Sequence, residues 1–501
     1  MTRAQIYREP QLDFVLDLID GPKGGTRPTA ETVARAHRAM VELEAGAVAN
    51  MDEGRRVGHY WLRDSSLAPD PQLRAAIDYT HEVLDAGPLA PSSWNTVLLV
   101  GIGGSALGPQ FLARALASRS DPRTLHCLDN TDPEGMAATL GGIDLARTVV
   151  LVVSKSGGTP ETRNGMLATQ AAYRDAGLPF HEHAIAITGP GSKLDRLARD
   201  PAAPWRQVFG IYDWVGGRTS VTGPVGLVPM ALCGWDWRAF LDGARAMDAV
   251  TRRPEAHENP AMQLALAWFA AGEGRGDRAL VMLPYRDRLA LLGKYLQQLI
   301  MESIGKRLDR SGALVEQGLV VYGNKGSTDQ HAYVQQVRDG RNDTFVHFID
   351  TRLQGPRVPV DDGFFADDHL VGFLLGTRAA LRERGRPTVS IQVRDASARS
   401  VGQLVALFER AVGFYAELVD INAYHQPGVE GGKRGAKVAL SLLQSLKDAL
   451  DDAPRTAAEL GGEGTDVWMS WRLLHHLAAT GRAISHGASG PPVDDRFSRP
   501  S

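Results

Sequence analysis

Short runs of consecutive apolar residues, each ending in glycine, serine or a polar turn, recur through the middle of the chain at residues 97–100, 125–128, 149–153 and 184–187. Unalternated runs of this length predict strands buried on both faces, and the helix-length segments between them predict a parallel sheet covered by helices. A second set lies at residues 279–283, 319–322, 345–349 and 389–393. The chain is thus expected to be α/β, with two doubly wound units in tandem joined near residues 234–259. Ahead of them, residues 32–48 and 72–84 carry helical periodicity broken by glycine and proline clusters. Behind them, helices are expected over 438–450 and around 468–479, and the last dozen residues, rich in Pro, Ser and Asp, are expected to be disordered. The expected division is 1–90 (helical), 91–250 and 251–445 (α/β), and 446–501 (helical extension and tail).

Composition narrows the function classes. With 55 basic and 58 acidic residues the net charge is −3. Such a balance gives no global attraction to nucleic acid or to an anionic membrane, so any anion must be held locally. Cys127 and Cys233 stand in unrelated surroundings without CxxC spacing, which argues against a disulfide framework or a zinc site. The first residues lack the apolar core of a secretory signal, and no stretch reaches the roughly 20 apolar residues of a membrane helix. A cytoplasmic location is expected.

Two glycine-rich frames follow predicted strands. In Gly101-Ile102-Gly103-Gly104-Ser105 the missing side chains let the backbone approach a ligand, and the helix that starts there offers free N–H groups. No Gly-Lys-Ser or Gly-Lys-Thr closes this frame, and it does not match GxGxxG, so nucleotide binding loses ground. In Ser154-Lys155-Ser156-Gly157-Gly158-Thr159 hydroxyls and an ammonium join the backbone donors, a set suited to a phosphate monoester. Read alone, each frame is also compatible with a plain turn.

The acid–base candidates lie further along. Glu302, in Met301-Glu302-Ser303-Ile304-Gly305-Lys306, sits on a helical pattern whose apolar face would partly bury it, and desolvation raises a carboxyl toward the range useful to a base. His331, in Gly326-Ser327-Thr328-Asp329-Gln330-His331-Ala332, occupies a turn after a strand, where an imidazole serves as a proton shuttle. Lys433 follows Gly431-Gly432, and Glu161 sits two residues past Thr159, within reach of a neighbouring imidazole. Arg218, in Val215-Gly216-Gly217-Arg218, brings a permanent charge suited to an enediolate oxygen. Taken singly, each is also an ordinary solvated or structural residue.

Together, and in order from about Gly101 to Lys437, these frames resemble the phosphoglucose isomerase family, whose fold has two sugar-isomerase (SIS) domains. The resemblance implies an aldose–ketose isomerase of glucose 6-phosphate and fructose 6-phosphate. It implies that Ser154, Lys155, Ser156 and Thr159 hold the phosphate, that Gly104 and Ser105 line the sugar side, and that Gln298 and Gln426 contact substrate. His331 and Lys433 would assist ring opening, His331 being oriented by Glu161. Glu302 would move the proton between C1 and C2, and Arg218 would stabilise the cis-enediolate. No metal or organic cofactor is implied. A homodimer is, with His331 reaching the partner's site. Departures from the family pattern are Gly157-Gly158-Thr159-Pro160 where more hydroxyls are common, His425 before the Gln426 frame and Thr219 after Arg218. Residues 55–69 and the chain after about Ala453 find no clear counterpart. Two rival readings keep the fold: a phosphosugar-sensing regulator without turnover, and an isomerase of another hexose phosphate.

Overall fold

The computed structural model describes residues 6–22, 26–353, 355–361, 363–487 and 490–500. It divides into two units, Met1–His425 and Gln426–Ser501.

The larger unit contains two main sheets and two two-stranded ribbons. In the first, five parallel strands run in the order Thr124–Leu128, Thr96–Val100, Thr148–Ser154, Ala184–Thr188 and Gln207–Gly210. Every residue of Thr96–Val100 and of Thr148–Ser154 is buried, which is why these strands read as continuous apolar runs. The fifth strand escapes sequence reading because its four residues, Gln-Val-Phe-Gly, are too short and mixed to stand out. The second sheet has six strands. Thr388–Val393, Thr344–Thr351, Ala279–Pro284 and Val321–Tyr322 are parallel neighbours, and the hairpin of Ile6–Glu9 and Phe14–Asp17 adds antiparallel to the Thr388–Val393 side. The N-terminal segment, expected to be helical, therefore also completes this sheet. Alternate burial of Tyr7 and Glu9 marks its strand character.

The predicted junction is not a loose linker. Helix Trp237–Thr251 fills it and packs against helix Ala398–Leu418. A Cβ on Gly243 would lie 1.9 Å from the Arg399 carbonyl oxygen, and one on Gly402 would lie 2.0 Å from that of Phe240. Only glycine permits this approach. Beside it lies a buried ion network in which the Arg63 guanidinium bonds Asp248 at 2.7 Å and also pairs with Glu409, while Arg410 bonds Glu44 at 2.9 Å. Burial pushes the Glu44 carboxyl up, but Arg410 and Arg252 outweigh it and hold the group down at about 2. Residues 55–69, which found no counterpart by resemblance, thus supply a cation to the interior of the larger unit.

The smaller unit has its own core of Leu446, Leu450, Leu460, Leu474, Leu477 and Phe497. Helices Pro427–Ala449, Ala457–Gly461 and Val467–Ala479 surround it, with a three-stranded sheet ordered Arg455–Thr456, Arg496–Ser498, Ile484–Ser485. The expectation of a disordered tail does not hold for residues 490–500, because Phe497 is buried and its strand is paired on both sides. No helix among the described residues is long and apolar enough to cross a membrane.

Candidate active site

Both glycine frames lie at carboxyl ends of first-sheet strands, where ligands gather in open α/β sheets. Strand Thr96–Val100 runs into the 3-10 turn Gly103–Ser105 and then into helix Leu107–Leu116. Gly103 adopts φ +58°, and a Cβ on it would come 3.2 Å from the side-chain amide nitrogen of Gln298. A Cβ on Gly104 would come 2.2 Å from the carbonyl carbon of Gly217. The first turn therefore touches, backbone against backbone, the turn Gly217–Thr219 that carries Arg218.

Strand Thr148–Ser154 ends in the second frame, with Thr159 at the N-cap of helix Pro160–Asp175. The Ser154 hydroxyl accepts from the Gly157 N–H at 3.1 Å, and the Ser156 hydroxyl from the Gly158 N–H at 3.2 Å, so the loop is curled by its own side chains. Ser156 is exposed, while Lys155 and Thr159 are half-buried. The Lys155 ammonium donates to the carbonyl oxygens of Asp213 and Val215 at 3.1 and 2.9 Å. It straps this frame to the loop that leads into Arg218. Burial, with the nearby Arg55 charge, lowers its pKa. Glu161 sits half-buried in the first turn of the same helix.

Glu302 comes from the other sheet. After strand Ala279–Pro284, helix Leu292–Leu296 widens into a π-helical segment, Gln297–Glu302, which holds Gln298 at one end and Glu302 at the other. Single π turns inside helices are frequent at functional sites. One Glu302 carboxylate oxygen lies 3.6 Å from Arg218 Nη1, with the Arg218 side chain 3% exposed and that of Glu302 19%. Arg218 Nε donates to the Ser303 hydroxyl at 2.7 Å, and its Nη2 donates to the carbonyl oxygens of Ala423 and His425. Burial draws the guanidinium pKa down and Glu302 pushes it back up, and the backbone of Arg218 lies against the Gly104 turn. Lys306, within the same sequence frame but not singled out by sequence reading, donates to the carbonyl oxygens of Glu302 and Ser303, both at 2.8 Å.

His331 lies on the exposed 3-10 turn Thr328–His331. This turn is tied by Asp329, which accepts from the Asn324 N–H at 2.7 Å and from the Tyr333 hydroxyl. In the smaller unit Gln426 is the N-cap residue of helix Pro427–Ala449, and Lys433 is exposed on that helix. Within the larger unit the structure thus gathers Gly103, Gly104, Arg218, Gln298 and Glu302. Sequence reading missed Ser303, Lys306 and the carbonyl oxygens that receive Arg218 and Lys155. Only Ser303 and Lys306 carried a signal, their place beside Glu302.

Two mainly parallel sheets covered by helices give the chain a SIS-type α/β fold. The phosphoglucose isomerase family model matches residues 31–360 and 377–458, so residues 55–69, expected to lack a counterpart, do have one in the family. The chain belongs to that family. It is 52% identical to a glucose-6-phosphate isomerase of Geobacter sulfurreducens, over 93% of this chain and 91% of that one. With a glucose-6-phosphate isomerase of a Synechococcus strain it shares 48% identity over 96% and 94%. A crystal structure of a glucose-6-phosphate isomerase from Chlamydia trachomatis superposes with a TM-score of 0.76 at 26% identity, covering 88% of this chain and 90% of that one.

Proposed function

We propose that this chain interconverts glucose 6-phosphate and fructose 6-phosphate through a cis-enediolate. The observation that carries this reading is the Arg218–Glu302 pair, 3.6 Å apart, set against the Gly104–Gly217 contact. A carboxylate and a fixed positive charge then stand beside a glycine turn that opens a helix.

In this reading Ser154, Lys155, Ser156 and Thr159 hold the phosphate, the hydroxyls and N–H groups by direct bonds and Lys155 by its field and its strap to residues 213 and 215. Gly104 and Ser105 line the sugar, while Gln298 and Gln426 contact its hydroxyls. His331, oriented by Glu161, moves the proton between the ring oxygen and the C1 hydroxyl as the ring opens, with Lys433 assisting. Glu302 then takes the C2 proton of the open aldose and returns it to C1 while the hydroxyl proton passes from O2 to O1, and Arg218 meets the negative charge that develops on the enediolate oxygens. The exposed position of His331 suits a homodimer in which this histidine serves the partner's site. The chemistry is proton transfer alone, and the reading includes no metal or organic cofactor. A cytoplasmic location agrees with it.

The test is direct. Fructose 6-phosphate mixed with the protein, with product coupled to glucose-6-phosphate dehydrogenase, gives protein-dependent NADPH. A rate equal to the blank refutes isomerisation and leaves a binding module.

A further inference from the structure

A π segment is held less firmly by its own backbone than an α-helix, because it departs from the regular i→i−4 ladder. The end of Gln297–Glu302 therefore needs partners from outside, as every helix end does for its last carbonyls. Gly305 N–H takes the Met301 carbonyl at 2.8 Å. The next two carbonyls, of Glu302 and Ser303, both go to one donor, the Lys306 ammonium, at 2.8 Å each. Residue 306 is 5% exposed, so water does not do this work.

Lys306 is itself fixed. It opens strand Lys306–Leu308, which pairs antiparallel with Leu314–Gln317, Lys306 standing opposite Gln317. The connecting turn is anchored by Arg310, whose N–H bonds the Asp420 carbonyl at 2.9 Å and whose guanidinium grips Glu417. A rigid hairpin thus delivers a positive charge to the backbone of the residue that carries the base. The same bonds act on Arg218, because the Ser303 hydroxyl that receives its Nε belongs to a residue whose carbonyl Lys306 also holds.

We propose that Lys306 is a positioning residue for isomerisation: its ammonium fixes the backbone of Glu302 and Ser303, and through them the mutual placement of the Glu302 carboxylate and the Arg218 guanidinium. The inference rests on the reading of Glu302 as the base. An exposed lysine at a helix end is a cap of small worth. Here a buried cation is set against another cation, an arrangement that costs desolvation and repulsion unless it is required.

The groups facing the ammonium are Arg218, Glu302, Asp52 on the turn Met51–Glu53, and His425. Burial and then the Arg218 charge push Lys306 down to about 7 against the restoring pull of Glu302 and Asp52. Its folded value lies below the ordinary lysine value of 10.5, so the charged grip on Glu302 is present at low pH and is lost as pH rises through about 7, while an unfolded chain keeps the proton until about 10.5. Folding stability moves the other way over that window, rising with pH, because the unfolded chain holds the proton longer. Activity and stability are thereby uncoupled, and the two can be read separately.

The experiment compares wild type, Lys306→Met, Lys306→Arg and Glu302→Gln as full-length protein in the coupled assay, with kcat and KM measured from pH 6 to 10 and thermal unfolding alongside. Expected for Lys306→Met is a fall in kcat of about 100-fold with KM within about threefold, the scale of a misplaced catalytic group. Lys306→Arg should recover most of that kcat and lose the alkaline fall seen in wild type, since arginine keeps its charge. The proposal is overturned if Lys306→Met keeps kcat within twofold. It is also overturned if both variants lose activity in step with melting temperature while the pH profile keeps its shape, which marks a structural cap only. Should Glu302→Gln retain turnover, the base assignment itself fails, whatever Lys306 does. A dead Glu302→Gln beside a normal Lys306→Met rejects the positioning role alone.

Discussion

The two sheets present ligand-facing groups in opposite ways. At the first sheet, strands Thr96–Val100 and Thr148–Ser154 end in glycine turns, and in the proposed reading recognition rests on backbone N–H groups and short hydroxyls. At the second, the strand Ala279–Pro284 leads to a helix that loosens into Gln297–Glu302, and in the proposed reading the chemistry rests on long side chains held by other side chains. An anion of fixed shape is met by rigid backbone, whose donors need no reorganisation. A base must instead reach its proton and keep a working pKa, which demands a particular neighbour rather than a particular loop.

The largest test of that contrast is Glu302→Gln, which keeps the shape and removes the base. We expect kcat to fall about 10³-fold, within the range typical of a general base, while an inhibitor phosphate binds as before in calorimetry. A loss of phosphate affinity instead would move Glu302 to the recognition side. Next comes Gly104→Ala at the first sheet. The added Cβ would sit 2.2 Å from the Gly217 carbonyl carbon, so one of the two turns must shift. Because the second carries Arg218, kcat/KM is expected to drop about 100-fold, an effect of displacement by about 1 Å. Near-normal kinetics would show that the two turns move independently. Smallest is Lys155→Met, which removes the strap to the carbonyls of residues 213 and 215. A rise in KM of roughly tenfold with kcat changed less is expected, in keeping with a charged hydrogen-bonding group. An equal loss in both would place Lys155 with the chemistry.

The same contrast explains what the sequence disclosed. Strands buried on both faces, such as Thr96–Val100 and Thr148–Ser154, are mostly apolar, and eight strands of the two main sheets were visible as short apolar runs. Glycine turns were legible because a backbone that approaches another backbone or a ligand leaves no alternative residue, as at Gly104. The π character of Gln297–Glu302 was not legible, since an apolar face at helical spacing is common to both helix types. Nor was the role of Arg63, whose partners Asp248 and Glu409 are far along the chain. The hairpin Ile6–Glu9 and Phe14–Asp17 was hidden by its brevity, and the ordered end of the chain by a polar composition from which a single Phe497 reaches the core. His331 and Lys433 were proposed from their frames alone, and their exposed positions on a short turn and on a helix would not have singled them out.

The central claim is that a carboxylate carries a proton from one carbon to the next. A proton resting on Glu302 can exchange with water before it returns, so isomerisation in deuterium oxide must label the carbon that receives it. Mass spectrometry of glucose 6-phosphate formed from fructose 6-phosphate in deuterium oxide should find a fraction carrying one carbon-bound deuterium. Product formed at the full rate with no deuterium on carbon would mean that the hydrogen never rests on a carboxylate open to water, against the 19% exposure of the Glu302 side chain, and the account would fail.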